Sequence, residues 1–200
     1  MGGQRTERGR LFVVSAPSGA GKTSLTRAAI DRLATRGRSA RFSVSYTTRA
    51  PRVGERDGID YHFVDDAEFR RLIEAGEFLE HARVFDRRYG TGRGETERLL
   101  AAGHDVILDI DWQGAQQVRE ASDQVVSVFI MPPSLAELER RLRERALDDE
   151  ADIERRLAEA EEEIAHSGEF DHIVVNDRFE DALAELESIL AGEGGMAPAD

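Results

Sequence analysis

Short apolar segments alternate with amphipathic segments along most of the 200-residue chain. Several apolar segments are rich in β-forming residues and bounded by Gly or polar residues, which is typical of buried strands; they cover residues 10–16, 105–110, 125–131 and 172–176. Apolar residues at helical spacing predict helices, over residues 23–37, 95–103, 134–147, 151–166 and 179–192. Strands that alternate with helices predict an α/β fold, in which helices cover both faces of a parallel sheet.

The stretch from about residue 41 to 91 interrupts this alternation with short strands and polar loops. Residues 40–48 alternate between apolar and polar side chains as one strand does, and residues 61–85 indicate a strand, a short helix and a second strand. We therefore predict that residues 41–91 form a small inserted lobe. Residues 1–9 are an N-terminal extension, and residues 192–200 have little to bury and are expected to be a disordered tail.

The composition argues against several classes of function. The formal net charge is −13, whereas general nucleic-acid binding needs a basic surface that releases counterions. The chain contains no Cys, which removes disulfides, thiolate zinc sites and cysteine nucleophiles and fits a cytoplasmic protein. No apolar run reaches the roughly 18 residues that a membrane-spanning helix needs, so we expect no membrane partner. The His residues show no metal-ligand spacing.

Residues 16–24, APSGAGKTS, place a glycine-rich loop between a predicted buried strand and a predicted helix. There, Gly19 and Gly21 allow a tight turn whose backbone N–H groups surround an anion, at the positive end of the helix dipole. Lys22 can then reach the β- and γ-phosphates of a nucleotide, and Thr23 can ligate Mg²⁺. The loop departs from the usual G-x-x-x-x-G-K-[ST] pattern because Ala16 replaces the first Gly, so a glycine-rich surface turn is the alternative interpretation.

Lys22 is the only lysine among the 27 basic residues of the chain. Because the chain uses arginine everywhere else, this position selects a compact ammonium over a forked guanidinium, which is poorly suited to a narrow loop around a phosphate chain. The lone lysine and the strand–loop–helix context together favour a working phosphate-binding loop.

A second candidate site lies in residues 45–61, SYTTRAPRVGERDGIDY, where Arg49 and Arg52 stand among residues with hydroxyl groups. Two guanidinium groups near the phenol of Tyr61 suit a single dianionic phosphate, since arginine donates forked hydrogen bonds to phosphate oxygens. A solvated basic loop is the alternative interpretation of the same residues.

The segments SAPSGAGKTSL, VSYTTRAPRVGE, FLEHARVF, YGTGR, VILDIDWQGAQQV and IVVND occur in this order. With them, the chain from about residue 10 to 191 closely resembles guanylate kinases. The resemblance implies a P-loop kinase fold with a parallel sheet flanked by helices. It implies a core of about residues 10–40, 92–133 and 168–191, a GMP-binding lobe of about residues 41–91, and a mobile helical lid of about residues 134–167.

The resemblance also implies transfer of the γ-phosphoryl group of ATP to GMP, and possible use of dGMP, with Mg²⁺ as the cofactor. It places ATP on Asn176, for which a strand-end turn is an equally good interpretation, and on the loop residues Ala16, Pro17, Ser18, Gly19, Ala20, Gly21, Lys22, Thr23 and Ser24. It places the GMP phosphate on Arg49, Arg52, Tyr61 and Tyr89. It places the guanine base on Ser45, Glu80 and Thr91.

The chemistry of guanine fits the last three residues. Guanine offers N1–H and an exocyclic amine as donors, and the Glu80 carboxylate can accept both, while Thr91 and Ser45 can donate to O6. Adenine has no such pair of donors, so Glu80 would face it desolvated and unpaired, at a cost of about 1–3 kcal/mol or more.

The resemblance assigns further charged residues to the reaction. Asp109 contacts the GMP side, and either Asp109 or Asp111 reaches Mg²⁺ through water, with a helix cap as the alternative for either residue and above all for Asp111. Arg141, Arg145 and Arg156 of the lid close on the phosphates, where a salt-bridged, solvated helix pair is the alternative. The lid reads RERALDDEAD, with Ala146 in place of the usual glycine-containing stretch, which puts the exact arginine roles in doubt.

Two other functions remain to be tested against a guanylate kinase. One is a guanylate-kinase-like module that binds phosphorylated partners without catalysis, although such modules typically have damaged phosphate-binding loops. The other is a related kinase that acts on a different nucleoside monophosphate. The sequence does not indicate an oligomeric state.

Overall fold

The computed structural model describes residues 7–84, 86–122, 124–144 and 150–193. Its elements, in chain order, are β1 (Leu11–Ser15), α1 (Lys22–Thr35), β2 (Ala40–Phe42), β3 (Ser45–Thr47), β4 (His62–Phe63), α2 (Asp66–Glu74), β5 (Phe78–Val84), β6 (Arg87–Gly92), α3 (Arg93–Ala101), β7 (Asp105–Asp109), α4 (Trp112–Ala121), β8 (Val125–Met131), α5 (Leu135–Glu144), α6 (Glu150–Ala165), a short 3-10 helix (Ser167–Glu169), β9 (His172–Val175) and α7 (Phe179–Ala191). Within these ranges, no helix combines the length and the apolar character needed to cross a membrane.

A five-stranded sheet has the strand order β2–β7–β1–β8–β9. β2 and β7 pair in parallel, with Ala40 opposite Asp105, and β8 and β9 pair in parallel, with Val128 opposite His172. The three inner strands β7, β1 and β8 are mostly buried, as expected for parallel strands in the interior of a sheet. The predicted α/β fold with a mostly parallel sheet is confirmed.

The prediction of a buried strand at residues 172–176 is wrong in one respect, because β9 lies at the edge of this sheet. Only Val174 in β9 is fully buried, whereas Ile173 is 42% exposed and Val175 is 48% exposed. Side chains alternate between the two faces of a strand, so one face of β9 is covered and the other is not. An apolar run in the sequence does not reveal which strand of a sheet is the edge.

The chain divides into two compact units. The first contains the residues up to Leu11 together with residues 40–108 and 113–125, and the second contains residues 12–39, 109–112 and the chain from Val126 onward. The predicted lobe therefore falls within the first unit and the predicted lid within the second, while the predicted core contributes to both. The three-part division into core, lobe and lid stays a prediction.

In the second unit, α1 packs against α7. Leu25, Ala29 and Leu33 recur at helical spacing on α1 and are at most 1% exposed. Leu186 and Leu190 form the same kind of row on α7 and are also almost completely buried. This spacing is the reason that the sequence predicts both helices correctly.

The helices α5 and α6 of the predicted lid pack against each other through Leu138, Leu142 and Ala160, with Leu157 beside them. At the start of α5 the hydroxyl of Ser134 accepts a hydrogen bond from the backbone N–H of Glu137 at 3.1 Å, as an N-cap residue does. The lid helices thus have a small apolar core of their own.

In the first unit, a four-stranded sheet has the order β4–β3–β6–β5. A small apolar cluster joins Phe69 and Leu72 of α2 to Phe78 of β5. The prediction of one strand over residues 40–48 is wrong, because β2 and β3 belong to different sheets. The change occurs at Ser43, whose N–H still donates to the Ile107 carbonyl at 3.2 Å, while Ser45 already pairs with Thr91. Unbroken alternation of side chains does not reveal a change of hydrogen-bonding partner.

Strand β6 was not predicted, because its two glycines weaken the apolar pattern. Gly90 shows why glycine is needed there: a Cβ atom would lie 3.1 Å from Phe69 Cζ, 3.1 Å from Phe78 Cδ1 and 3.2 Å from the Glu80 carbonyl oxygen. The two rings of the lobe core pack directly against the backbone of β6, and they leave no space for a side chain.

We predict that Gly90→Ala lowers the free energy of unfolding by about 1–3 kcal/mol, because the new methyl group overpacks this contact. Urea unfolding at equilibrium measures the change. Gly94→Ala is the matched control, since a Cβ atom at this position of α3 meets nothing within 4 Å, and we expect no loss there. Equal stability of Gly90→Ala and the wild type would contradict the packing described above.

Candidate active site

The glycine-rich loop follows β1 and leads directly into α1, as the sequence predicts. Gly19 and Gly21 have φ angles of +98° and +93°, in the left-handed region that favours glycine. The loop closes with a hydrogen bond of 3.0 Å from the Ala20 N–H to the Pro17 carbonyl. This geometry is that of a phosphate-binding loop at a helix N-terminus, in contrast to an unconstrained surface turn.

Lys22, the first residue of α1, lies against the last residue of β7 and the residue that follows it. Its Nζ atom is 2.6 Å from Asp109 Oδ1 and donates a hydrogen bond of 3.0 Å to the Ile110 carbonyl. Burial alone would lower the pKa of Lys22, but Asp109, followed by Glu163 and Asp111, holds it above its ordinary value. The lysine is therefore a firmly charged group that a carboxylate already holds in place.

Thr23 and Asp109 provide neighbouring oxygen ligands beside the lysine. The Thr23 hydroxyl donates to Asp109 Oδ2 at 3.1 Å, and Asp111 contributes to the same negative environment at Lys22. Among the described residues, no group of three or more His, Cys, Asp or Glu could hold a metal by itself. This arrangement suits Mg²⁺, which typically takes one or two protein oxygens and completes its shell with phosphate oxygens and water.

Asn176 lies at the end of β9 and is only 6% exposed. Its side-chain Nδ2 donates a hydrogen bond of 2.7 Å to the Ala20 carbonyl in the glycine-rich loop. The sequence left an adenine contact and a strand-end turn open for this residue. The structure adds a third interpretation, in which the Asn176 side chain binds the backbone of the loop itself.

Two of the predicted lid arginines contact this region. Arg141 donates from Nη2 to the Asn176 carbonyl at 3.0 Å and pairs with Glu137 at 2.9 Å, while Arg156 donates from Nη1 to the Ser18 hydroxyl at 2.8 Å. Arg145, the third predicted arginine, lies outside the described residues.

In the first unit, the three residues predicted to read guanine are cross-strand neighbours. Thr91 of β6 pairs with Ser45 of β3 on one side and with Glu80 of β5 on the other. Glu80 is 3% exposed and Thr91 is 1% exposed, and the Thr91 hydroxyl donates to Glu80 Oε1 at 2.6 Å. Because a hydroxyl has a single hydrogen to donate, Thr91 orients the Glu80 carboxylate in this structure and does not offer that hydrogen to a base.

Arg49, Tyr61 and Tyr89, which were predicted to hold the GMP phosphate, also come together in the first unit. The guanidinium carbon of Arg49 is 5.3 Å from the Tyr61 ring centre, and the rings of Tyr61 and Tyr89 meet edge to face with centres 6.1 Å apart. Arg49 and Tyr89 also interact through a side-chain hydrogen bond. The fourth predicted residue, Arg52, has an exposed side chain.

Comparison with known proteins identifies the family of this chain. A family model described as guanylate kinase matches residues 8–193. This chain belongs to the guanylate kinase family. A guanylate kinase of Chromohalobacter salexigens is 54% identical over 195 residues, which are 98% of this chain and 89% of that protein. One of Alcanivorax borkumensis is 54% identical over 184 residues, 92% of this chain and 87% of that protein. The crystal structure of guanylate kinase from Anaplasma phagocytophilum aligns with a TM-score of 0.74 and 39% identity, covering 94% of this chain and 87% of that chain.

Sequence reasoning missed Glu55 in this guanylate kinase family member. Its carboxylate accepts hydrogen bonds from both terminal nitrogens of Arg49, at 2.9 and 2.8 Å, and from the Arg52 N–H at 2.6 Å. Arg49 and then the Arg52 N–H lower the pKa of Glu55 to about 2. The only signal in the sequence is an acidic residue that lies between Arg52 and Arg56, three positions after Arg52.

A second residue of the guanylate kinase fold that the sequence did not single out is Glu163 on α6. Trp112 stacks on His166 with ring centres 3.6 Å apart. His166 directly follows α6, and its backbone N–H donates to the Glu163 carbonyl at 3.2 Å. The Oε2 atom of Glu163 is buried and has no hydrogen-bond partner among the residues that the structure describes. Burial first, and then Asp111, Glu159 and Glu162, raise its pKa to about 7, while Lys22 acts in the opposite direction.

We predict that Glu163→Gln stabilises the protein more at pH 8 than at pH 5. The pKa of Glu163 is about 7 in the folded chain and about 4.3 in an unfolded chain. The wild type therefore loses stability as pH rises from about 4 to about 7, by about 1–3 kcal/mol, and glutamine removes this loss. Urea unfolding across this pH range measures it.

Glu161→Gln, which changes an exposed carboxylate on the same helix, is the control and should show no such pH-dependent gain. A constant difference between Glu163→Gln and the wild type from pH 5 to pH 8 would mean that Glu163 is ionised throughout this range.

Proposed function

We propose that this chain is a guanylate kinase that transfers the γ-phosphoryl group of ATP to GMP, giving ADP and GDP. The observation that carries the proposal is the buried Glu80 carboxylate, oriented by Thr91, in a chain that also has an intact phosphate-binding loop. Membership of the guanylate kinase family supports ATP and GMP as the substrates.

The glycine-rich loop binds the triphosphate of ATP. The backbone N–H groups of residues 16–24 and the N-terminus of α1 attract the phosphates, and Lys22 exchanges the Asp109 carboxylate for phosphate oxygens. Thr23, with Asp109 or Asp111 through water, holds Mg²⁺. When bound there, Mg²⁺ would supply positive charge that offsets the negative charge of the phosphates during transfer.

The lobe in the first unit binds GMP. Glu80 accepts hydrogen bonds from N1–H and the exocyclic amine of guanine, and Ser45 donates to O6. Thr91 keeps the carboxylate in the orientation that accepts both bonds. Arg49, Arg52, Tyr61 and Tyr89 hold the phosphate group. The prediction that Asp109 contacts the GMP side stays a prediction, since in the structure Asp109 contacts Lys22 and Thr23.

Transfer needs no covalent intermediate with the protein. An oxygen of the GMP phosphate forms a bond to the γ-phosphorus, the bond to the β-phosphate oxygen breaks, and ADP leaves with that electron pair. A phosphate dianion is already a nucleophile, so no strong general base is required. Lys22 and the lid arginines Arg141, Arg145 and Arg156 lower the barrier by stabilising negative charge on the transferred group.

The proposal also covers a second acceptor and a place in metabolism. The predicted contacts hold the base and the phosphate of GMP, and none is assigned to the ribose 2′-hydroxyl. We therefore propose dGMP as a second acceptor. A place in guanine nucleotide metabolism, with recycling of GMP, follows from the substrate GMP and the product GDP, and we propose a cytoplasmic location with it. A binding module without catalysis and a kinase for another monophosphate remain the competing functions for the experiments below.

We predict that the protein releases ADP from Mg-ATP with GMP, and more weakly with dGMP, but not with AMP, CMP or UMP. A coupled assay of ADP formation, with each monophosphate tested separately, measures this. Preference for another base would contradict the role of Glu80 and leave the phosphate-binding loop in place. No ADP with any acceptor, from folded protein that binds GMP, would favour the binding module.

The variant Glu80→Gln tests the role of Glu80 directly, because an amide has one oxygen acceptor where the carboxylate has two. We expect kcat/KM for GMP to fall about tenfold or more. Glu77→Gln changes an exposed carboxylate nearby in sequence and should leave kcat/KM unchanged.

We predict that Lys22→Ala lowers kcat about 100-fold or more while GMP still binds, since the GMP contacts lie on other residues. Isothermal titration with GMP and the ADP assay separate the two properties. Lys22→Arg keeps the charge opposite Asp109, so it serves as a second variant if Lys22→Ala folds poorly, and its larger guanidinium should also turn over slowly. Turnover like that of the wild type in Lys22→Ala would overturn the assignment of the loop.

A further inference from the structure

Asn176 connects the end of the edge strand β9 to the phosphate-binding loop. Its backbone N–H donates to the Met131 carbonyl at 2.8 Å, which extends the pairing of β8 with β9 by one residue. Its side chain is buried, and Nδ2 donates to the Ala20 carbonyl at 2.7 Å. A rigid sheet thus holds the amide that contacts the loop.

The contact between Asn176 and the loop is very close. A Cβ atom on Gly21 would lie 2.5 Å from Asn176 Nδ2, which no side chain could tolerate without displacing the amide. Gly21 is therefore required twice, by its φ angle of +93° and by the amide packed against it. The residue next to Gly21 in the chain is Lys22.

The orientation of one peptide group follows from this hydrogen bond. In a trans peptide the C=O and the following N–H point in opposite directions, and the described residues contain no cis peptide. Because the Ala20 C=O points toward Asn176, the Gly21 N–H points away from it. If this peptide rotated, a carbonyl oxygen would replace an N–H at a loop that has to attract phosphate, and repulsion would replace attraction.

The backbone of Asn176 also contacts the predicted lid. Its carbonyl accepts the hydrogen bond from Arg141 Nη2 at 3.0 Å, while Glu137 holds Nε of the same arginine at 2.9 Å. A single residue therefore touches both the loop and one of the arginines that we propose to stabilise the transferred phosphoryl group.

We infer that Asn176 is a positioning residue for the phosphate-binding loop: its amide holds the Ala20–Gly21 peptide so that the loop presents N–H groups to the triphosphate. This role rests on the proposed function of the loop. It differs from an adenine contact, because it affects the phosphates of any nucleotide and is independent of the base.

The experiment compares ATP with magnesium tripolyphosphate, a ligand that has the phosphates but no base. The variants are Asn176→Ala, which removes the amide, and Asn176→Asp, which keeps its size but cannot donate when ionised. Asp177→Ala, at the exposed neighbouring position, is the control. Calorimetric Kd values for tripolyphosphate, and kcat and KM for ATP and GTP as donors, are the readouts.

We expect both Asn176 variants to weaken tripolyphosphate binding about tenfold or more and to weaken ATP by a similar factor. The ratio of ATP use to GTP use should not change. The value of kcat should fall as well, because Lys22 is the residue directly after the Ala20–Gly21 peptide that Asn176 holds. Asp177→Ala should match the wild type in every readout. If Asn176→Ala folds poorly, Asn176→Asp still separates the two roles through the ratio of ATP to GTP use, since its added charge alone weakens the binding of every phosphate ligand.

Two results would overturn the inference. Unchanged tripolyphosphate binding together with weakened ATP binding and a reduced preference for ATP over GTP would make Asn176 a reader of adenine. Unchanged binding of both ligands would mean that the loop keeps its conformation without the amide. Failure of the proposed function is distinguishable from either result, because the wild type would then form no ADP from ATP and GMP, whereas tripolyphosphate binding does not involve GMP.

Discussion

The ion pair between Lys22 and Asp109 is the interaction on which the phosphate-binding loop depends. Burial by itself would favour a neutral lysine, and the carboxylate 2.6 Å away reverses that preference. The charge is therefore ready before any nucleotide arrives. The ion pair also explains why the start of α1 and the end of β7 have to be arranged together: Lys22 and Asp109 each supply one partner, and either would be costly to bury without the other.

Much of the fold could be predicted from the sequence, because the apolar spacing along α1, α5, α6 and α7 matches the faces that these helices bury. Apart from β6, whose glycines weaken the apolar pattern, the two errors in the strands have one physical cause, which is that local patterns do not record hydrogen-bonding partners. Residues 40–48 alternate throughout, yet they pair first with β7 and then with β6. The run at 172–176 is as apolar as an inner strand, yet β9 has only one neighbour in its sheet.

In the candidate site, the sequence singles out residues that belong to a recognisable motif. It does not reveal contacts that exist only in the folded structure. Lys22, Arg49 and Glu80 stand in recognisable stretches of sequence. Glu163 stands in a run of glutamates, and only its burial on one side of α6 distinguishes it. Asn176 was predicted for an adenine contact, whereas its hydrogen bond to Ala20 arises from long-range packing that no spacing along the chain encodes.

The pairing of Arg49 with Glu55 has a consequence for how a monophosphate enters the lobe. The arginine fork already holds an anion, with both terminal nitrogens within 2.9 Å of a carboxylate. The lobe can therefore fold without ligand and without an uncompensated cation. Phosphate binding at this arginine, as proposed above, would exchange one anion for another, so its affinity would report the difference between phosphate and carboxylate as partners. A neutral analogue of the phosphate would have to displace the Glu55 carboxylate, which belongs to the same chain, without offering Arg49 a negative charge in return.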